Sequence, residues 1–233
     1  MKLVKRRKTG VCVLCGRRRL LTREHVPPRA IFPPGTQNLI TVPACLECNS
    51  GTSKDDEYLR LLLTMPDGAQ TLPQIKPLVA PLQRSWKRPE AQGFLRSLLQ
   101  SAECITVRMP SGVYVCGQGL KVDRDRVLRI VRKTIKGLFY HEFGFRFPGD
   151  CGMLIGALTP LEMTIPREAF EKMLSDVAAM LTSPIKQIGS GSFTYRYGSS
   201  PSSRYQTVWV VVFGGFLAFH VFTDRRRNNP QFA

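Results

Sequence analysis

Acidic residues are scarce in this chain. Seventeen Asp plus Glu stand against 34 Lys plus Arg in 233 residues, a formal net charge of +17. The natural partner of such a surface is a polyanion, with nucleic-acid phosphates first and an anionic membrane surface second. Long apolar runs are missing as well. The longest stretch, Val208 to Phe222, is interrupted by Gly214, Gly215 and His220, so it reads as two buried strands and not as a span. No apolar run follows the basic N-terminus, so no signal peptide is expected. No internal repeat is present. The expectation is a cytoplasmic protein without a membrane partner, nucleoid-associated if DNA is its substrate. Hydrophobic content of 43% and charged content of 22% are those of an ordinary folded chain.

Seven cysteines are present, and four of them are paired by spacing: Cys12 with Cys15, and Cys45 with Cys48. Each pair can place two thiolates on one ion from a single tight turn, and Gly16 eases the first turn, so the set suits a tetrahedral structural Zn²⁺. Disulfides are the competing reading, disfavoured in a reducing compartment. Cys104, Cys116 and Cys151 are scattered and read as small buried hydrophobes.

Residues 1–10 form a basic arm, and residues 65–90, with Pro66, Pro73, Pro77, Pro81 and Pro89, read as a Pro-rich connector. The spacing predicts a helix over 54–64, with Ser53 as N-cap and Asp55, Asp56 and Glu57 at the positive end of its dipole. Gly93 to Gln100 reads as a short helix, and 105–109 with 113–116 as a hairpin turning at Pro110-Ser111-Gly112. The clearest helix is 124–140, capped by Asp123. Val127, Val131, Ile135 and Leu138 make its apolar stripe, and Arg129, Arg132, Lys133 and Lys136 its basic one. That basic stripe is either a solvated face or a surface lying along a phosphate backbone. A strand at 153–158 precedes a helix at 166–181, whose core face is Phe170, Met173, Leu174, Val177 and Leu181. Strands follow at 192–197, 207–213 and 216–223, and Arg225, Arg226 and Arg227 open a basic tail.

The segment between the Cys pairs carries Thr22-Arg23-Glu24-His25-Val26-Pro27-Pro28 and then Asn38-Leu39-Ile40. The second pair continues as Cys45-Leu46-Glu47-Cys48-Asn49. Over about residues 11–60 this order resembles the HNH endonucleases, ββα-metal nucleases with a zinc-binding Cys frame. The resemblance implies a zinc-stapled ββα module at 11–64, and the mixed helices and strands beyond it suggest a larger α+β domain at 91–233, an α+β protein as a whole. It implies hydrolysis of DNA phosphodiesters, with RNA as the other phosphate polymer. His25 would be the general base, since His alone loses a proton near neutral pH without a large shift. Glu24 and Asn49 would hold Mg²⁺ or another divalent cation, and Asn38 would brace the loop and orient His25. Glu24 replaces the commoner Asp and Asn49 the commoner His. Arg23, Arg29 and Lys54 flank the site as phosphate contacts, with Arg129, Lys133 and Lys136 as further ones. His141 and His220 read as structural. Residues 91–233 are left for target binding or homodimerisation.

A zinc module that only binds nucleic acid or a protein would need the four Cys and the basic faces, but not Glu24, His25 and Asn49 at these spacings. A membrane-surface protein using the basic helix is a third, weaker reading.

Overall fold

The computed structural model describes residues 8–108, 111–158 and 167–225. Most of the basic arm, the turn at Pro110, the start of the helix expected from 166 and the tail beyond Arg225 lie outside the described residues.

Three strands open the chain: β1 (Thr9–Val11), β2 (Arg18–His25) and β3 (Thr41–Cys45), antiparallel and ordered β1-β2-β3. Two helices follow at once, α1 (Leu46–Ser50) and α2 (Ser53–Thr64). Next come α3 (Lys76–Trp86), α4 (Pro89–Gln100), a hairpin of β4 (Ala102–Arg108) and β5 (Tyr114–Leu120), and α5 (Arg124–Phe143). The last part holds β6 (Cys151–Ala157), α6 (Arg167–Met180), β7 (Lys186–Ile188), β8 (Phe193–Ser200), β9 (Ser203–Phe213) and β10 (Leu217–Arg225). Its strands make a five-stranded antiparallel sheet ordered β6-β10-β9-β8-β7. The protein is mixed α+β.

The sheet reads directly from its alternation. Phe193 and Tyr195 on β8, Trp209, Val211 and Phe213 on β9, and Leu217, Phe219 and Val221 on β10 all point inward. Gly214 and Gly215 turn the β9–β10 hairpin with φ of 63° and 85°, a conformation that glycine adopts without strain. α5 lies against this face with Ile130, Ile135, Leu138 and Phe139 buried. Its expected stripe and its Asp123 cap are both present, the cap carboxylate accepting from the Arg126 amide at 3.2 Å. No helix among the described residues is long and apolar enough to cross a membrane.

Four expectations change. The stretch 65–90 is not a connector: it contains α3, whose Leu78 and Leu82 belong to the main core, and the start of α4. Pro77 and Pro89 are helix starters, at the first turns of α3 and α4, while Pro81 lies inside α3. The core runs without a break from Ile31 and Phe32 through α2 and α3 to α5 and the sheet. Ser53 is the first residue of α2 and not its cap. The Thr52 carbonyl takes the Asp55 and Asp56 amides. Cys104 and Cys116 are exposed, because β4 and β5 pair only with each other and nothing covers their faces among the described residues, whereas Cys151 is buried as expected. On α6, Val177 is buried but Leu174 is 37% exposed.

Candidate metal centre and active site

The two Cys pairs meet. The first lies in the tight β1–β2 turn, closed by Gly16 N donating to Cys12 O at 2.8 Å and Cys12 N donating to Arg17 O at 2.9 Å. Gly16 is required there: its φ is +77°, and a Cβ would stand 2.8 Å from the Arg146 guanidinium. The second pair sits where β3 passes into α1. All four Sγ atoms lie within 4.8 Å of one another, the only such group of three or more Cys, His, Asp or Glu among the described residues. Zinc–sulfur bonds of about 2.3 Å in a tetrahedron give sulfur–sulfur edges of about 3.8 Å. Cys15 and Cys45 are 3.8 Å apart. These four residues can therefore hold a metal such as zinc.

The electrostatics agree. Burial pushes Cys12 up, but amide donors from Cys45, Cys15 and Leu14 outweigh it and bring the thiol to about 7. Cys15 and Cys48 are raised, by burial first and then by the neighbouring sulfurs. Thiols that oppose one another's ionisation are a cluster that a cation stabilises. Lys136 adds positive charge beside Cys15 and Cys48, its Nζ donating to Leu14 O at 3.4 Å.

Glu24 and His25 end β2, across from Val42 and Thr41. Adjacent strand residues leave on opposite faces. Thr22 and Glu24 share one, where Glu24 is 4% exposed. Asn49 docks on that side of β2, its Nδ2 donating to Thr22 Oγ1 at 2.9 Å and to Arg23 O at 3.2 Å. This orientation leaves Asn49 Oδ1 without a hydrogen bond among the described residues. His25 shares the other face with Arg23, whose Nη2 donates to Thr41 Oγ1 at 3.3 Å. Burial lowers the His25 pKa, and the charges of Arg29 and Arg23 lower it further, so the ring is neutral at neutral pH.

Asn38 makes no hydrogen bond to His25 among the described residues. It is exposed and makes no side-chain hydrogen bond among the described residues, and what marks it is a left-handed backbone, φ +56°. Arg29, in a single 3-10 turn (Arg29–Ile31), and Lys54, in the first turn of α2, are exposed.

The basic stripe of α5 does not face solvent as a unit. Lys133 is 6% exposed and inserts between the two N-terminal elements. Its ammonium donates to Glu24 Oε1 at 2.9 Å, Thr52 Oγ1 at 2.7 Å and Asp56 Oδ1 at 2.8 Å. Arg129 forks onto Asp55 at 2.8 and 3.2 Å. Lys136 turns to the cysteines. Lys133 and Lys136 thus turn inward, while the Arg129 side chain stays 51% exposed beside Asp55. Burial raises the pKa of both Glu24 and Asp56, and the shared ammonium offsets only part of the rise. Lys133 was expected to contact phosphate, and its contact with Glu24, Asp56 and Thr52 was not legible. The available signal was the pair Asp55-Asp56 opening one helix and a basic stripe on another.

No family model, curated protein or solved structure matches this chain, so the functional reading rests on the geometry of these residues.

Proposed function

We propose that this protein is a metal-dependent endonuclease of HNH type, hydrolysing DNA phosphodiesters at the end of the β2–β3 hairpin. The observation that carries the reading is the docking of Asn49 on β2 at Thr22 and Arg23, the residues that lead directly into Glu24 and His25. A module that only bound zinc and a polyanion would have no use for this second constellation.

The four thiolates hold a structural Zn²⁺, which orders a segment with little apolar burial. The donors for a second, hard cation also fit. Glu24 has one oxygen engaged by Lys133, and its other oxygen accepts no hydrogen bond among the described residues. Asn49 Oδ1 is likewise open. One carboxylate, one amide oxygen and the substrate phosphate, completed by waters, are a usual Mg²⁺ set. The charge balance supports it, since a buried carboxylate, Glu24, and a partly buried one, Asp56, share a single ammonium. A divalent cation bound there would offset the charge that builds on the phosphate.

His25 takes the proton of the attacking water. Its lowered pKa keeps the accepting nitrogen free at neutral pH. Because Glu24 and His25 leave β2 on opposite sides, the scissile phosphate belongs at the strand's end, where both are in reach. Arg23 and Arg29 flank His25 and can hold the flanking phosphates, within a strongly basic surface that draws DNA in.

Plasmid nicking with Mg²⁺ or Mn²⁺ tests the reading. His25→Ala should lose roughly 10²–10⁴-fold in rate with zinc content and melting temperature unchanged. Equal nicking by the two proteins would remove His25 from the mechanism. Salt-sensitive DNA binding without cleavage in any metal would leave a binding module.

A further inference from the structure

Lys133 is the one Lys or Arg among the described residues that is buried. It is contributed by α5, 109 residues along the chain from Glu24, and its side chain is 5% exposed. An ammonium has three protons, and here each has an acceptor on a different group: Glu24, Thr52 and Asp56. The nitrogen is thereby fixed in three directions. α5 reaches this depth because Gly137, one turn on and on the same face, lets the helix backbone close on Val26. A Cβ at Gly137 would stand 2.4 Å from the Val26 side chain. Val26 follows His25 directly, so the close approach that seats Lys133 also fixes the strand end that carries the site.

We propose that Lys133 is a positioning residue of the nuclease site, holding one oxygen of Glu24 so that the other is presented, with Asn49, to a divalent cation. This rests on the functional reading above. Docking of α5 on α2 does not require it, because the Arg129–Asp55 fork already ties the two helices one turn away. What Lys133 adds is its grip on Glu24. It takes a single oxygen of the carboxylate and braces itself on Asp56 and Thr52, the arrangement by which an outer partner orients a metal ligand. The site is then composite: two ligands come from the Cys-framed segment, and the residue that aims one of them comes from the helix under the C-terminal sheet.

The test uses the full chain. Removing Lys133 alone leaves the buried Glu24 and the partly buried Asp56 without their counter-charge, so Lys133→Met is studied beside the double variant Lys133→Met/Asp56→Asn, which removes one of those charges. Zinc content and thermal melting establish folding. Mn²⁺ titration by calorimetry reads the site independently of catalysis, with Glu24→Gln, which should abolish the heat, to locate it. Plasmid nicking is resolved into kcat and KM. In the double variant Mn²⁺ affinity and kcat should each fall roughly 10–100-fold, with KM for DNA and zinc content at wild-type levels. Recovery of both Mn²⁺ affinity and kcat to wild type in the folded double variant would show that Lys133 serves only the fold and would overturn the inference. Absence of Mn²⁺ binding by the wild type would overturn it too. Wild-type Mn²⁺ binding that depends on Lys133, without nicking of any DNA, would overturn the nuclease reading while leaving the positioning of Glu24 standing.

Discussion

The β2–β3 hairpin and the β8–β9–β10 sheet are both antiparallel, but different forces hold them. The sheet buries Phe193, Trp209, Val211, Phe213 and Val221 completely, and Tyr197 stacks on Trp209 at 4.9 Å. Apolar area removed from water is sufficient to hold it. The hairpin leaves Arg18, Arg19 and Leu20 exposed and covers only small groups: Cys12, Leu14, Ala44 and Cys45 in one cluster, Val13, Val26 and Val42 in another. Four thiols and a set of ion pairs supply what the apolar contacts do not. The polar groups that can do chemistry sit in the thinly buried region, where a carboxylate and an imidazole can stay within reach of solvent. The sheet behind them provides a rigid base through α5.

Metal removal tests this contrast most severely. Stripping the cysteine site by a strong chelator, or by Cys45→Ser, removes an interaction on the order of 10 kcal/mol in small zinc modules. Hydrogen exchange should then show loss of amide protection over residues 9–50, with residues 193–223 still protected. Uniform loss across both regions would mean that the sheet depends on the metal as much as the hairpin does.

The converse change is Trp209→Ala. Its ring is fully buried between β8 and α5, packing on Tyr197 and Phe143, so about 3–5 kcal/mol of stability should go, read by urea unfolding. Zinc content should stay at the wild-type value in the folded fraction. Zinc loss in step with sheet stability would show that the two regions are not held separately.

The same contrast explains what the sequence disclosed. α5, β9 and β10 were legible because their apolar residues repeat at 3.6 or 2, and burial follows period. The cysteines were legible because two ligands from one turn need fixed spacing. The helical character of 65–90 was not, because Pro77 and Pro89 open helices with the residue that most often breaks them. The burial of Lys133, expected instead on phosphate, was not, because a cation on a helix stripe carries no mark of burial. Its acceptors Glu24 and Asp56 are 109 and 77 residues away and meet it only through the tertiary fold. For Asn38 a side-chain role was expected, whereas the fold uses its tolerance of a left-handed backbone.

The smallest expected effect separates the two regions by pH. His220 lies on β10, 8% exposed, its ring against Gly156 and edge-on to Phe222, and its Nδ1 has no hydrogen-bond partner. Burial lowers its pKa below the ordinary 6.5. The folded sheet therefore resists a proton that the unfolded chain accepts at about 6.5, so stability holds above that pH and is lost as pH falls below it. His25 in the hairpin is shifted in the same direction, by burial and then by Arg29 and Arg23, so the wild-type slope contains both. His220→Leu removes the sheet's share only. Urea unfolding of both proteins at pH 7 and pH 5.5 should give a smaller acid loss for His220→Leu, since groups common to both proteins cancel in the difference. Parallel loss would remove His220 from the acid sensitivity and leave it to groups common to both proteins, His25 at the candidate site among them.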